Sequence, residues 1–376
     1  MRVAGTDAGI KTYDLFGFDD RTGEIFLDES LPREEISREP GVVVERLREV
    51  AREVGGIEAI AASSGYGMPL KEARRATDAD IALATFLTPA DERRGLKIVG
   101  LRRLMLLMRE ATDLPFYFTP GVIHLPTVPE HRKANRIDLG TSDKVYTAAL
   151  AIRDQAERRG RGFGETSLIA VEVGFSYTAA LAVKGGKIVD AMAGTSGFPG
   201  YSGMGFVDAE LCYALSRVEG ELSKAHLFLG GAAHVSGREP SRTEPEEFVE
   251  GGGPGYELMV EAVVKDVASL LPSVRPEEVL LSGRFSRIPR FFGEVKRRLE
   301  EFFSGLSLQV EVRKLGHRGR AKEAAEGAAV LASGIAGGRY RGLLEAMELE
   351  RSGGTLFDHL HLPGLRERLL REFGHL

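Results

Sequence analysis

Apolar and polar residues alternate near the start of the chain with the two-residue period of β-strands. RVAGTDA predicts one buried strand, TYDLFGFD predicts a second, and RTGEIFLD adds a glycine turn and a third. In PGVVVERLREVAREVG the period lengthens to that of a helix, which the sequence ends at Gly55, before IEAIAASS returns to a short buried strand. The amino-terminal segment is therefore predicted to fold as β-β-β-α-β.

The same pattern recurs near the middle of the chain. TSLIAVEVGFSYTAALAVKGGKIVDAMAG again predicts a strand, an acid-x-Gly turn, a strand, a glycine turn and a strand. Asp7-x-Gly9 in the first copy corresponds to Glu172-x-Gly174 in the second. We interpret the repetition as two α/β domains of shared architecture, each with a mixed sheet flanked by helices, rather than as a solenoid.

The length of the chain supports two domains. Its 376 residues exceed the roughly 250 to 300 at which a single hydrophobic core stops growing. The Gly- and Arg-rich segment RRGRGFGET marks the predicted boundary. The predicted domains are residues 1–160 and 165–340, followed by a helical tail over 341–376.

Composition narrows the class of protein. With 43% hydrophobic and 28% charged residues and a net charge of −5, the chain is an ordinary globular protein without a global basic field for nucleic acid. The single cysteine, Cys212, excludes an intramolecular disulfide, and its helical surroundings predict a buried structural thiol. No signal peptide and no apolar run of about 18 residues is evident. We expect a cytoplasmic protein that binds neither nucleic acid nor a membrane.

The two acid-x-Gly hairpins are the strongest candidates for chemistry. Glycine turns offer backbone N–H groups to phosphate oxygens, and an adjacent carboxylate can hold a hydrated Mg²⁺. A lone D-x-G-x-x-T is more often an ordinary turn, but its repetition favours two hairpins that bind the phosphates of a nucleotide. The residues concerned are Asp7, Gly9, Lys11 and Thr12 in the first hairpin and Glu172, Gly174, Ser176 and Thr178 in the second.

A third element is VLLSGRFSRIP, in which a buried strand ends at Gly283 and leads into a helix. This geometry lets the backbone approach a nucleobase or ribose, although a plain strand-to-helix turn explains it nearly as well. The chain contains no GxxxxGK[ST] sequence, which excludes a P-loop, and no GxGxxG follows a strand.

With these elements in this order, the chain resembles the acetate and sugar kinase/Hsp70/actin superfamily. The closest resemblance is to butyrate-kinase-like archaeal proteins of unassigned function, the DUF1464 type. GTDAGIKTYDLF is similar to the first phosphate motif of the superfamily, VEVGFSYTAALAVKGGKIVDAMAG to the second, and VLLSGRFSRIP to the adenosine motif. FPGYSGMGFVDAEL and LFLGGAAHV are similar to segments of butyrate kinases, so the resemblance spans nearly the whole chain.

The resemblance implies a fold and an activity. The fold is two ribonuclease H-like (actin-like ATPase) domains with mixed five-stranded sheets flanked by helices, ATP in the cleft between them, and the 341–376 tail packed on the first domain. The activity is ATP-dependent phosphorylation of a small-molecule acceptor, a carboxylate or a hydroxyl compound, with ATP and Mg²⁺ as cofactors. Asp7 and Glu172 are the expected metal-side acids. The further nucleotide-binding residues are Gly230, Gly231, Gly283 and Arg284.

Candidate catalytic residues besides Asp7 lie in the segment PTVPEHRKANRIDLGTSDK, which resembles the acceptor loop of carboxylate kinases. Glu130 and Asp138 are its candidate acids or bases, the alternative being a merely exposed charged loop. His124 and His131 frame the same loop, but their spacing does not favour a zinc site.

Two departures from the carboxylate kinases keep a second function open: FPGYSGMG lacks their Arg, and GHRGRAKEA replaces an acidic segment. Asp7 also stands where those enzymes have Asn, as in sugar kinases and actins, which suits a role beside a hydrated Mg²⁺. The alternative is therefore a nucleotide-binding protein of the same fold that regulates or assembles rather than phosphorylates. The oligomeric state also stays open, a homodimer included.

Overall fold

The computed structural model describes residues 1–94, 97–219 and 222–376. They form two compact units. The first unit is Met1–Thr166 together with Val183–Val189 and Leu315–Leu376, and the second is Ser167–Ala182 together with Asp190–Lys314. The predicted boundary lies beside Thr166. Residues 315–340, which the sequence assigned to the second domain, group instead with the first unit.

The strands of the described residues belong to two sheets. They are β1 (Arg2–Ala8), β2 (Thr12–Asp19), β3 (Ile25–Pro32), β4 (Ala59–Ala62), β5 (Lys71–Glu72), β6 (Phe116–Phe118), β7 (Ser167–Val173), β8 (Thr178–Lys184), β9 (Lys187–Ala193), β10 (Glu278–Ser282) and β11 (Glu311–Lys314).

The helices lie between and after these strands. They are α1 (Arg33–Arg38), α2 (Gly41–Val54), α3 (Asp78–Thr85), α4 (Pro89–Arg93), α5 (Lys97–Glu110), α6 (Glu130–Lys133), α7 (Ser142–Arg159), α8 (Ala209–Val218), α9 (Ala232–Val235), α10 (Pro245–Gly251), α11 (Pro254–Ser269), α12 (Pro289–Gly305), α13 (Glu323–Ile335), α14 (Arg341–Ala346) and α15 (Leu365–Phe373). Within the described parts of the chain, none of these helices has both the length and the apolar character that a membrane crossing requires.

Both sheets are mixed, as the sequence predicts. The first has the order β3-β2-β1-β4-β6-β5, in which β1, β4 and β6 run parallel and β2 and β3 form an antiparallel meander. The second has the order β11-β10-β7-β8-β9, with β10 parallel to both neighbours. The first sheet differs from the predicted five strands, because the described residues Lys71–Glu72 add the short edge strand β5.

Local glycine and cap chemistry decides where the helices end. Gly55 ends α2 with a left-handed φ of 77°, as predicted. Helix α3 ends at Phe86, which adopts a φ of 47°, and the Thr88 side chain caps the next helix, α4. The carboxy-terminal helix α15 reaches back to α3, where the rings of Phe373 and Phe86 lie 4.4 Å apart between centroids.

One sequence prediction about the second unit is wrong. Cys212 was expected to be buried, but it is exposed, and no residue of the described helix α8 is buried. Large apolar side chains on and beside α8 are exposed as well, with Tyr213 at 66% and Val218 at 77%. The helical period of AELCYAL predicts an apolar stripe, but period alone does not say whether another element of the chain covers it.

Helix α13 is the centre of the first unit, and small residues allow its close packing. A Cβ added at Gly5 of β1 would lie 2.2 Å from the backbone nitrogen of Ala329. A Cβ added at Gly327 would lie 2.0 Å from the carbonyl oxygen of Tyr146 on α7. Glycine is therefore required on both sides of α13, where its backbone approaches β1 and α7.

A buried ion network fixes the same helix. Glu326 Oε1 lies 2.6 Å from Arg153 Nη1 of α7 and 2.7 Å from Arg318 Nε. Burial alone would raise the pKa of Glu326, but the charge of Arg153 and the hydrogen bonds from Arg318 lower it below its ordinary value. The carboxylate is therefore ionised, and it links α7 to the turn that precedes α13.

Substituting Gly327 with Ala should destabilise the first unit by about 1–3 kcal/mol, because the added methyl group overlaps the Tyr146 carbonyl. The matched control is Gly293→Ala in α12, where a Cβ would meet no atom within 4 Å. That change should stabilise the protein by up to about 1 kcal/mol through helix propensity. Thermal unfolding followed by circular dichroism compares the two, and equal midpoints would contradict the packing described for α13.

Candidate functional site

Two carboxylates face each other at the start of the first hairpin. In the register of β1 and β2, Asp7 lies directly opposite Asp14. Both side chains are almost completely buried, with 5% and 2% of their surface exposed. Like charges at directly opposite positions of an antiparallel pair destabilise the sheet, so this pair requires a counter-charge.

Lys322 supplies that charge. Its Nζ lies 3.5 Å from Asp7 Oδ2 and 3.5 Å from Asp14 Oδ2. It also lies directly over the turn of residues 9–12, since a Cβ added at Gly9 would be 1.7 Å from Nζ. The glycine predicted to leave room for a phosphate thus leaves room for an ammonium group in this structure.

The position of Lys322 is set by the turn before α13. Asp28 of β3 accepts hydrogen bonds from the backbone nitrogens of Arg320, at 3.0 Å, and Ala321, at 2.8 Å. The guanidinium of Arg318 lies over the ring of Phe18, 4.4 Å from its centroid. These contacts fix the turn against β2 and β3, so the backbone of the turn places Lys322 beside the carboxylate pair.

Two hydroxyl groups donate hydrogen bonds to the Asp14 carboxylate. Thr12 Oγ1 donates to Asp14 Oδ2 at 2.7 Å, and Ser30 Oγ donates to Asp14 Oδ1 at 2.5 Å. Thr12 was predicted to bind a nucleotide, and in this structure it orients a carboxylate. Lys11, predicted for the same role, lies in the turn with an exposed side chain.

A second acid–lysine pair lies at the beginning of α7. Asp143 accepts hydrogen bonds from Lys144 Nζ and Thr141 Oγ1. Burial raises the pKa of Asp143, but the Lys144 ammonium outweighs burial and the net pKa lies below the ordinary value, with Lys322 contributing in the same direction. Asp143 therefore stays ionised and belongs to the same charged cluster as Lys322.

These groups lie near the carboxyl ends of parallel strands. Asp7 lies near the end of β1, Ser63 and Ser64 follow β4, and Thr119 follows β6. Ser64 Oγ donates to the Thr119 carbonyl at 2.9 Å, and the Ser64 backbone nitrogen donates to the Ser142 hydroxyl at 3.2 Å. This edge of an open α/β sheet is where such folds bind ligands.

The carboxylate pair does not suit a metal ion bound directly between its two members. Asp7 and Asp14 provide the hard oxygen atoms that Mg²⁺ prefers, but the Lys322 ammonium occupies the position between them. Among the residues that the structure describes, no group of three or more His, Cys, Asp or Glu side chains is arranged to hold a metal. Metal ligation by Asp7 and Glu172 therefore stays a prediction.

The predicted acceptor-loop acids have their own partners in the first unit. Glu130 contacts two histidines of the carboxy-terminal tail, at 2.7 Å from His359 Nδ1 and 3.4 Å from His361 Nε2. Asp138 is nearly buried, and its Oδ1 accepts a hydrogen bond from the Gly140 backbone at 2.9 Å. Their catalytic roles stay predictions. His124 is buried in the same region, and burial lowers its pKa to about 4.

In the second unit, the second hairpin packs against the Gly230 loop. The Gly174 nitrogen donates to the Tyr177 carbonyl at 3.1 Å and closes the turn. Ser176 accepts from the Ser202 hydroxyl at 3.0 Å through its own hydroxyl, and its carbonyl accepts from the Gly203 nitrogen at 3.0 Å. Gly203 in turn forms an isolated β-bridge with Gly230.

Glycine packing also holds the other nucleotide-binding candidates of this unit. A Cβ added at Gly231 would lie 2.5 Å from the carbonyl carbon of Ser202. Gly283 has a φ of 84°, and a Cβ there would lie 2.6 Å from the Val173 carbonyl oxygen at the end of β7. Gly231 thus packs against the backbone of Ser202, and Gly283 packs against the end of β7, while their nucleotide-binding role stays a prediction.

The charged candidates next to these glycines differ in their surroundings. Arg284 is exposed and forms ion pairs with Glu244, at 3.1 Å, and Glu246, at 3.3 Å. Glu172 pairs in register with Ser282 of β10, which places this acid beside the Gly283 turn. The nucleotide-binding role of both residues stays a prediction.

Thr178 is fully buried and faces a buried acid. Its Oγ1 lies 2.6 Å from Asp266 Oδ2 and 3.2 Å from the Phe198 carbonyl oxygen, and the Phe198 nitrogen donates to Asp266 Oδ1 at 3.0 Å. Burial raises the pKa of Asp266 to about 7. The Thr178 hydroxyl and the Phe198 nitrogen both donate to Asp266, and these hydrogen bonds oppose the effect of burial without cancelling it.

Four site residues were missed from the sequence, namely Asp14, Asp143, Lys144 and Lys322. Asp14 could have been predicted from the sequence. Asp7 and Asp14 lie at equal distances on either side of the 9–12 turn, so an in-register hairpin places them opposite each other. Lys322 lies in GHRGRAKEA, whose basic character was noted only as a departure from an acidic segment. Its position depends on how α13 packs, which local pattern does not encode.

Comparison with known proteins identifies the family and the fold. Residues 5–362 match the family model described as "Protein of unknown function (DUF1464)", and the chain belongs to this family. No curated protein matches the sequence. The prediction of this family from the sequence motifs is therefore confirmed.

Three solved structures illustrate the fold. Acetate kinase of Porphyromonas gingivalis is similar with 14% identity and a TM-score of 0.59, covering 89% of this chain and 99% of that chain. A propionate kinase of Francisella tularensis is similar with 14% identity and a TM-score of 0.59, covering 87% of this chain and 98% of that chain. Acetate kinase of Entamoeba histolytica is similar with 11% identity and a TM-score of 0.54, covering 84% of this chain and 96% of that chain. Identities this low show the fold alone, which is the predicted actin-like ATPase fold.

The stability of the second unit should fall as the pH rises from about 4 to about 7, by up to roughly 1.4 kcal/mol per pH unit. In this window the native Asp266 holds a proton that the unfolded chain has lost, because its pKa is raised from 3.8 to about 7. Asp266→Asn resembles the protonated acid and should flatten this dependence and stabilise the protein above neutral pH.

Urea unfolding between about pH 5 and pH 8 measures this effect. Glu261→Gln, an exposed change on the same helix α11, is the matched control and should retain the wild-type slope. An unchanged slope in Asp266→Asn would show that Asp266 is ionised throughout this range.

Proposed function

We propose that the protein is an ATP-dependent phosphotransferase that phosphorylates a small-molecule acceptor, either a carboxylate or a hydroxyl compound. The observation that carries this proposal is the charged cluster of Asp7, Asp14 and Lys322 around the glycine turn of the first hairpin. The fold, which is similar to that of acetate and propionate kinases, supports the same class of reaction.

The first hairpin supplies what a terminal phosphate requires. Phosphoryl transfer depends mainly on positioning and on neutralising the charge of the transferred group. Gly9 leaves the backbone of the turn open on the side of Lys322, and the ammonium lies over that opening. We assign the 9–12 turn and Lys322 to the terminal phosphate.

The transfer itself forms one bond and breaks one. An acceptor oxygen bonds to the terminal phosphorus of ATP, while the bond from that phosphorus to the bridging oxygen breaks and ADP leaves. A carboxylate acceptor brings no proton, whereas a hydroxyl acceptor loses one. Asp143 is held ionised by Lys144, so we assign it to orient such a hydroxyl. The proton of the hydroxyl would pass to Asp138 or Glu130, the candidate bases predicted from the sequence.

Mg²⁺ belongs to this proposal as the counter-ion of the nucleotide. Bound together with ATP, it would neutralise part of the charge of the phosphates. No step above is assigned to it, because Lys322 occupies the position between the Asp7 and Asp14 carboxylates.

Asp7→Ala should weaken ATP binding and turnover by about tenfold or more, because the change removes one of the two carboxylates that hold Lys322 over the turn. Thermal shift with MgATP measures binding, since a ligand at about 100 times its Kd stabilises by about 2.7 kcal/mol. ADP release in the presence of acids, sugars and polyols measures turnover.

The matched control is Asp113→Ala, an exposed acid that pairs with Arg48 away from the hairpin. It should leave both ATP binding and turnover unchanged. Wild-type ATP affinity and turnover in Asp7→Ala would refute the role of the first hairpin.

A nucleotide-binding function without phosphorylation is the second candidate. The observation that favours it is the absence of an Arg from the loop FPGYSGMG, where carboxylate kinases carry one. Tight ATP binding with no phosphorylated product from any acceptor class would support this alternative over the kinase.

A further inference from the structure

We propose that Lys322 is the resident cation of the first hairpin, which takes the place of a protein-bound metal ion at Asp7 and Asp14 and contacts the terminal phosphate when nucleotide binds. The part that concerns nucleotide rests on the function proposed above. The part that concerns the metal stands on the geometry of the nucleotide-free protein.

The first step is the requirement for a cation. Asp7 and Asp14 are paired in register and nearly buried, so their mutual repulsion is poorly screened by water. A cation at this place is therefore part of the folded state. The structure fills the position with an ammonium that lies at equal distance, 3.5 Å, from an oxygen of each carboxylate.

The second step is that the Lys322 ammonium can shift from the two carboxylates to an incoming phosphate. A separation of 3.5 Å is longer than the usual N–H···O hydrogen bond, so Lys322 interacts with these two oxygens mainly through charge. A third of its side chain is exposed, whereas both carboxylates are buried. The lysine is therefore the member of the cluster that an incoming phosphate meets.

The third step is that the chain holds Lys322 in place without help from a ligand. Asp28 fixes the two preceding residues through their backbone nitrogens, and Arg318 is held by Glu326 of α13. A flexible surface lysine would lose its position when the site is empty. In this structure, hydrogen bonds and an ion pair connect the backbone segment that carries Lys322 to β3 and α13.

The fourth step is the balance of charge. Among the described residues, Lys322 lies against Asp7 and Asp14, Lys144 pairs with Asp143, and the charge of Asp7 acts on the buried Arg33. These cations offset much of the negative charge that would attract a divalent ion. We infer that the divalent ion enters with the nucleotide rather than before it.

Electron paramagnetic resonance of Mn²⁺ added to the full-length protein without nucleotide tests the metal part. The wild type should show no Mn²⁺ site that depends on Asp14. Lys322→Met should gain such a site, at least about tenfold tighter than any site of the wild type. The double variant Lys322→Met/Asp14→Asn should lose it again.

Two further variants complete this test, one as a control and one as a substitute for Lys322→Met. Lys296→Met, at a partly exposed lysine of α12, is the matched control and should gain no Mn²⁺ site. Lys322→Ala removes the ammonium and most of the side chain, so it tests the same site if Lys322→Met fails to fold. A Mn²⁺ site in the wild type that Asp14→Asn abolishes, or no gain in folded Lys322→Met, would overturn the proposal.

ATP affinity separates this inference from the proposed function. Lys322→Met should weaken ATP binding by about tenfold or more, and Lys322→Arg should restore part of it, because the arginine keeps the charge. If the wild type itself binds no ATP, the proposed function fails, while the Mn²⁺ titration still decides whether Lys322 is the resident cation. If the wild type binds ATP and Lys322→Met binds it equally well, the phosphate contact is refuted.

Discussion

The contact between the Lys322 ammonium and the carboxylates of Asp7 and Asp14 is the interaction on which the first unit depends. Two acids opposite each other in an antiparallel hairpin repel, and the sheet tolerates them only with a cation between them. That cation comes from the far end of the sequence. The hairpin at the beginning of the chain is therefore incomplete without the segment that leads into α13.

The packing of α13 meets this requirement. Gly5 and Gly327 let the helix approach β1 and α7 at backbone distance, and the Glu326 network anchors the preceding turn. The same packing explains why residues 315–376 group with the first unit although they follow the second in sequence. The small residues in EAAEGAAVLASG thus allow the close packing of the core, and the same packing places Lys322 at the site.

Much of the fold was predictable because it depends on local pattern. Strand alternation, the Gly55 helix end and the repeated acid-x-Gly hairpin all follow from neighbouring residues. The rest depends on contacts between distant segments. Lys322 reaches Asp7 through helix packing, Thr178 faces Asp266 rather than a surface, and Cys212 lies on a helix that the described chain leaves uncovered.

A crystal structure with Mg²⁺ and a non-hydrolysable ATP analogue tests the central claim most directly. The account predicts that the terminal phosphate lies against the 9–12 turn, within hydrogen-bond distance of Lys322 Nζ, and that the Mg²⁺ is held by phosphate oxygens rather than between Asp7 and Asp14. A metal ion seated between these two carboxylates with Lys322 displaced, or a nucleotide whose phosphates lie away from this turn, would contradict it.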